Sequence, residues 1–91
     1  MEYEYKSTFD RSIKRTPPVR KAEIKKAVEQ LIDYFETGVR PFGLGLKHLG
    51  GSYWEIRVNI RERILLSRIK DRVSFLLAGN HDEIKRYLRA L

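Results

Sequence analysis

From Trp54 to Arg61 apolar and polar residues alternate without a break: Trp54, Ile56, Val58 and Ile60 on one side, Glu55, Arg57, Asn59 and Arg61 on the other. A period of two belongs to a strand with one buried face, because successive side chains of a pleated chain point to opposite sides. This strand, spanning Tyr53 to Ile60, constrains the fold more than any other feature. Its apolar face needs a cover, and its other face carries a carboxylate, an amide and two arginines. That second face reads either as a wet sheet surface or as one built to hold a polyanion.

Two further strands are expected close behind. Ile64 to Ile69 follows a turn at Arg61-Glu62, and Val73 to Ala78 follows a turn at Lys70-Asp71-Arg72. The last of these, VSFLLA, is almost wholly apolar, so it lies centrally or is covered on both faces. At the other end of the chain, Glu2-Tyr3-Glu4-Tyr5-Lys6 alternates and suits a first strand.

The cover for the apolar face comes from helices. Ile24, Val28, Leu31 and Phe35 repeat at helical spacing, reinforced by Ala27 and Ile32, with Lys25, Lys26, Glu29, Asp33 and Glu36 on the other side. Pro17-Pro18 suits its start and Gly38 its left-handed C-cap. Before it, Ser7-Thr8-Phe9-Asp10 resembles a capping box with Asp in place of Glu, and Phe9 and Ile13 are spaced for one helical face. That short helix stops near Arg15, since Pro17 pushes Thr16 out of the helical region. Arg40 to Gly51 holds four glycines and one proline and reads mainly as loop. Asn80 with Glu83 forms a capping box for a last helix bearing Ile84, Tyr87, Leu88 and Leu91. The expected fold is α+β, β-α-α-β-β-β with a short C-terminal helix: an antiparallel sheet with a helical hairpin on its Trp54/Ile56 face. With 91 residues, one domain over 1–91 is expected.

Composition narrows the chemistry. No cysteine is present, which excludes disulfides, thiolate metal sites and a cysteine nucleophile. The two histidines, His48 and His81, are too few to argue for a metal site, and no cofactor is expected. No apolar run is long enough to span a membrane, and MEYEYKST lacks the basic start and apolar middle of a signal peptide. The default expectation is a cytoplasmic protein with no membrane partner. The net charge of +7, from 19 Lys+Arg against 12 Asp+Glu, attracts nucleic acid, acidic proteins or anionic lipid.

The order of elements, with "LK" at Leu46-Lys47, "YWEIRVN" at Tyr53–Asn59, "RERILL" at Arg61–Leu66 and "GNHDEI" at Gly79–Ile84, resembles the RelE/ParE superfamily of bacterial type II toxins. It lies nearest the ribosome-dependent mRNA-cleaving members of the YoeB, YafQ and RelE kind. The resemblance implies that Arg63 holds the scissile phosphate, that His81 is the general acid, and that Arg57 and Lys47 contact the RNA backbone. It further implies a cognate antitoxin, mRNA and ribosomal RNA as partners, in a homodimer or a toxin–antitoxin heterotetramer. The chain departs from the pattern in two places. YoeB-like toxins carry a glutamate base shortly before the Leu-Lys, where this chain has Gly43, Leu44 and Gly45; and Asp82 replaces the aromatic that often follows the C-terminal histidine.

The residues themselves support such chemistry. RNA is cut without a metal when its own 2′-hydroxyl attacks the neighbouring phosphate, which needs a base, an acid for the leaving 5′-oxygen, and cations for the charge gathering on phosphorus. Arg63, Arg57, Arg61, Lys47 and His48 are candidate phosphate-binding groups, arginine acting in two-pronged fashion. An imidazole such as that of His81 gives or takes a proton near neutral pH. For the base, Glu55, on the same side as Arg57, is the best carboxylate candidate, with His48 as runner-up. Each has a plainer reading: Arg63 as an ion-pair partner of Glu62 or Asp71, Glu55 as a cross-strand partner of an arginine, Trp54 as core. Two functions from different classes follow: a toxin endoribonuclease, or a ParE-like inhibitor of DNA gyrase that cleaves nothing. An inactive relative kept as a binding module is the third.

Overall fold

The computed structural model describes all 91 residues. The chain runs β1 (Glu2–Tyr5), α1 (Ser7–Lys14), α2 (Pro18–Thr37), β2 (Gly45–Gly50), β3 (Tyr53–Arg57), β4 (Arg63–Ile69), β5 (Arg72–Gly79) and α3 (His81–Arg89). The five strands form one sheet in the order β1-β5-β4-β3-β2, giving the α+β architecture expected. The pairings β2–β3, β3–β4 and β4–β5 are antiparallel. The outer pair β1–β5 is parallel. Strands β1 and β5 are far apart in the chain, joined through both helices and the other three strands, so no short hairpin links them and the pair is free to run parallel.

Two local expectations are corrected. Arg40 to Gly51 is not mainly loop: residues 45–50 form an edge strand. The glycines mark its ends, with Gly50 and Gly51 at φ +114° and +54° turning the chain into β3, and Leu46 and His48 pair with Ile56 and Trp54 between them. The Tyr53–Ile60 strand, in turn, ends at Arg57. The Asn59 side chain stops it. Its Oδ1 accepts from the backbone N–H of Arg61 (2.9 Å) and Glu62 (2.8 Å), a local turn that competes with the ladder. Ile60 is therefore thrown outward and is 82% exposed.

The helices begin and end largely where the residue types dictate. Pro18 opens α2 and Gly38 closes it in the left-handed region, at φ +76°. The first helix differs from its predicted cap. Lys6 occupies the cap position without a side-chain bond, and Ser7 is already helical. Thr8 Oγ1 instead donates to the Leu76 carbonyl. Ser12, buried, donates to Phe9 O at 2.7 Å and accepts from the Ala78 N–H at 3.0 Å, so α1 is tied to β5 by two hydroxyls.

Both faces of the sheet are used. Residues paired across antiparallel strands share a face, so Leu46–Ile56–Ile64–Ala78 and His48–Trp54–Leu66–Phe75 run as two rows under the helices. Ile24, Val28 and Leu31 of α2 and Phe9 of α1 pack on them in one cluster. On the other face Leu65 and Leu76 meet Ile84 of α3. The apolar run of β5 thus serves two cores. A register shift near Leu65 and Leu66 lets Leu76 and Leu77 both reach the α3 side.

Candidate functional site

The α3-side face of the sheet also carries the polar side chains of β3. Register places Gly45, Arg57, Arg63 and Gly79 in one transverse row, and Lys47, Glu55, Leu65 and Leu77 in the next. Adjacent strands stand about 4.8 Å apart, so Arg57 and Arg63 are immediate neighbours, flanked on either side by a residue with no side chain. Neither glycine position has room to spare for a side chain. A Cβ on Gly45 would lie 3.0 Å from Cβ of Arg57, and one on Gly79 would lie 3.1 Å from the Glu83 carboxyl.

The two arginines differ in how they are held. Arg57 is exposed. The Arg63 side chain is 25% exposed, and its Nη1 stands 3.5 Å from Oε1 of Glu55, whose side chain is 5% exposed. The carboxylate under the sheet surface thus holds one guanidinium in place while leaving it in reach of solvent. No third residue closes the pair, so Glu55 depends on Arg63 for its charge partner. Lys47 stands beside Glu55 on β2 with an exposed side chain.

His81 begins α3, two residues beyond Gly79 and so just past the end of the arginine row. The capping box expected at Asn80 is present: Asn80 Oδ1 accepts from the Glu83 N–H at 2.8 Å, and the Asn80 N–H donates to Glu83 Oε1 at 3.0 Å. It fixes the backbone on both sides of His81, whose side chain is exposed. Arg57, Arg63, Glu55 and Lys47 are therefore brought together on one face, and the backbone of His81 is anchored at that face's end.

The structure separates two of the other candidates from this group. His48 pairs with Trp54, and so lies on the helix side of the sheet, its ring 4.3 Å from the Trp54 ring and its Nε2 2.9 Å from Gly51 O. Arg61 lies beyond the end of β3. It lines a polar cleft of about 310 Å³ with Arg15 and Arg20, whose walls include neither Arg57 nor Arg63. Within that cleft Glu62, 7% exposed, sits 3.7 Å from Arg20 Nε. No local pattern marks the Arg15/Arg20/Arg61 grouping, because it joins a helix–helix junction to a strand–strand loop. No group of three or more His, Asp or Glu residues stands close enough to hold a metal ion, and no helix is long and apolar enough to cross a membrane.

No protein-family model and no curated protein matches the sequence. Solved structures do match its fold. The E. coli DinJ–YafQ toxin–antitoxin complex superposes with a TM-score of 0.73 at 18% identity, over 91% of this chain and 94% of that one. The RelB–RelE antitoxin–toxin complex of Methanococcus jannaschii gives 0.66 at 18% identity, over 91% and 95%. The YoeB/ParE toxin of Agrobacterium tumefaciens gives 0.62 at 17% identity, over 89% and 99%. A sheet with a helical hairpin on one face, matched end to end in each of these, gives this chain the RelE/ParE-like toxin fold.

Proposed function

We propose that this chain is the toxin of a type II toxin–antitoxin pair and acts as a ribosome-dependent mRNA endoribonuclease. The observation that carries the reading is the Arg57–Arg63 register pair, with a buried carboxylate behind Arg63 and the His81 backbone fixed at the end of the same row. Two guanidiniums side by side match the oxygens of one phosphodiester, and the charge they meet grows as the 2′-oxygen attacks phosphorus. His81 gives the proton that the leaving 5′-oxygen takes. Glu55 has two duties. In the free protein it positions Arg63; when a phosphate draws the guanidinium outward, the carboxylate is left to accept the 2′-hydroxyl proton. Lys47 holds the neighbouring phosphate.

The surplus of 19 cations over 12 anions suits docking on ribosomal RNA. The antitoxins in the RelB–RelE and DinJ–YafQ complexes support a cognate antitoxin for this chain, one whose acidic groups mask the arginine row. The test is translation in a purified system. Message is cut only when ribosomes are present, and cutting is lost in Arg63→Ala and His81→Ala proteins that still fold. Intact message with inhibited gyrase would overturn this reading in favour of a ParE-like inhibitor. Intact message with gyrase unaffected would leave a binding module.

A further inference from the structure

The polar cleft of about 310 Å³ stands outside the chemistry proposed above. Three separate segments bring an arginine to it: Arg15 from the C-cap of α1, Arg20 from the first turn of α2, and Arg61 from the loop between β3 and β4. Neither Arg15 nor Arg61 has an ion-pair partner in the chain. Arg20 approaches Glu62 only to 3.7 Å, too far for a hydrogen bond. Two carboxylates share the walls. Glu62 is buried, and Glu83 already accepts from the Asn80 N–H. Three guanidiniums against two carboxylates leave the cleft positive. The start of α2 adds to this, since it has no side-chain cap and no acidic residue in its first turn. Its free N–H groups and the helix dipole favour an anion there.

The cleft adjoins the arginine row. Gly79, the register partner of Arg63 and the last member of that row, is also one of the cleft's walls. A Cβ on Gly79 would point to the face that carries Arg63 and would meet Glu83, another wall residue, at 3.1 Å. The rim of the cleft therefore reaches that face, one strand spacing of about 4.8 Å from β4. Asn80, next to His81, lines it as well. Guanidiniums grip the oxygens of a phosphate in pairs. The volume lies at the low end of the roughly 300–1,000 Å³ of small-molecule pockets, so it suits one phosphate with its sugar. Continuity with the row favours a phosphate of the same strand over the carboxylates of an acidic peptide.

We propose that the Arg15/Arg20/Arg61 cleft is a second phosphate site, holding a backbone phosphate of the single-stranded RNA whose scissile phosphate is held by Arg57 and Arg63. The proposal rests on the ribonuclease reading and adds to it a second point at which the strand is held. The probe is a fluorescently labelled RNA hexamer, fully 2′-O-methylated so that it cannot be cut, titrated into the full chain over a range of salt concentrations. Arg15→Ala combined with Arg61→Ala weakens binding at low salt by about 10- to 100-fold. It also reduces the slope of log affinity against log salt by about 0.7, the share of one phosphate on a single strand. Lys25→Ala combined with Lys26→Ala removes the same charge from the exposed side of α2, outside the cleft, and weakens binding far less. Thermal unfolding of both proteins stays close to that of the unsubstituted chain. The proposal is overturned if the two doubly substituted proteins lose affinity alike, since the effect is then one of net charge. It is also overturned if affinity for a hexaglutamate peptide depends on Arg15 and Arg61 while affinity for the RNA does not; the cleft then takes an acidic peptide. If the unsubstituted chain fails to bind the hexamer, the proposal falls, and whether message is still cut on ribosomes decides separately whether the ribonuclease reading falls with it.

Discussion

The two faces of the sheet are made from the same strands and behave as two different materials. Under the helices, Ile56, Ile64, Leu66, Val73 and Phe75 are wholly excluded from water. On the reverse, the same β3 and β4 present Glu55, Arg57 and Arg63. The difference lies in the cover. The 20-residue α2 lies with α1 over the first face, whereas the nine-residue α3 reaches only the patch around Leu65 and Leu76. A short helix on a broad sheet leaves part of it open, and in this protein the open part is where the arginines stand. Stability resides on one side of the sheet and, in the proposed reading, chemistry on the other.

The comparison breaks most visibly under a core truncation. Phe75→Ala, on the covered face, removes a side chain of 0% exposure that stacks against Tyr5 and meets Phe9. It should cost about 3–5 kcal/mol of unfolding free energy, read by urea denaturation. On the open face, Arg63→Ala should lower message cutting by about 10²–10³-fold, the scale of losing one donor to a developing anion. It should also destabilise by about 1–3 kcal/mol, because Glu55 is left buried without its partner. Adding Glu55→Gln should recover part of that stability and none of the cutting, which separates the structural duty of the pair from the catalytic one. Glu55→Gln alone should keep the fold and lose about 10²–10⁴-fold in rate if the carboxylate takes the proton; a rate unchanged within twofold would leave Glu55 with positioning only. Arg57→Ala, fully on the surface, should move stability by no more than about 0.5 kcal/mol.

The smallest effects are those of pH at the β1 edge. Tyr3 is pushed up to about 12, first by burial and then by the hydrogen bond its hydroxyl donates to Glu36 at 2.7 Å. The folded state favours the neutral phenol, so this contribution is complete below the ordinary value of 10 and is lost as pH rises through about 12. An alkaline absorbance titration should show one of the five tyrosines ionising late, and Tyr3→Phe should remove it. Glu4 shifts the other way. The Ser74 hydroxyl donates to its Oε1 at 2.7 Å and Lys6 pairs with it at 3.1 Å, and both hold its carboxyl below the usual 4.5. That contribution is present above pH 4.5 and fades as pH falls through the lower folded value. Ser74→Ala should therefore flatten the acid side of the stability curve slightly.

Periodicity and capping chemistry, read along the chain alone, determined the two helices before the sheet, the turns at Gly38 and Lys70-Asp71, the Asn80/Glu83 box and the face of β3 that packs on α2. These are local matters: a repeat of two or 3.6 residues and a cap both act within a few positions. What lay beyond local reach was decided in three dimensions. The strand at Gly45–Gly50 exists because β3 offers it hydrogen bonds, despite its glycines. The end of β3 was decided by the Asn59 side chain capturing the backbone of Arg61 and Glu62. Alternation put Glu55, Arg57 and Arg61 on one side; the real chain keeps the first two and sends Arg61 into another cleft. The register of four strands, which no local pattern encodes, set Arg57 against Arg63 and placed His48 on the opposite face. Pairing between strands is a long-range choice settled by how all the faces bury together.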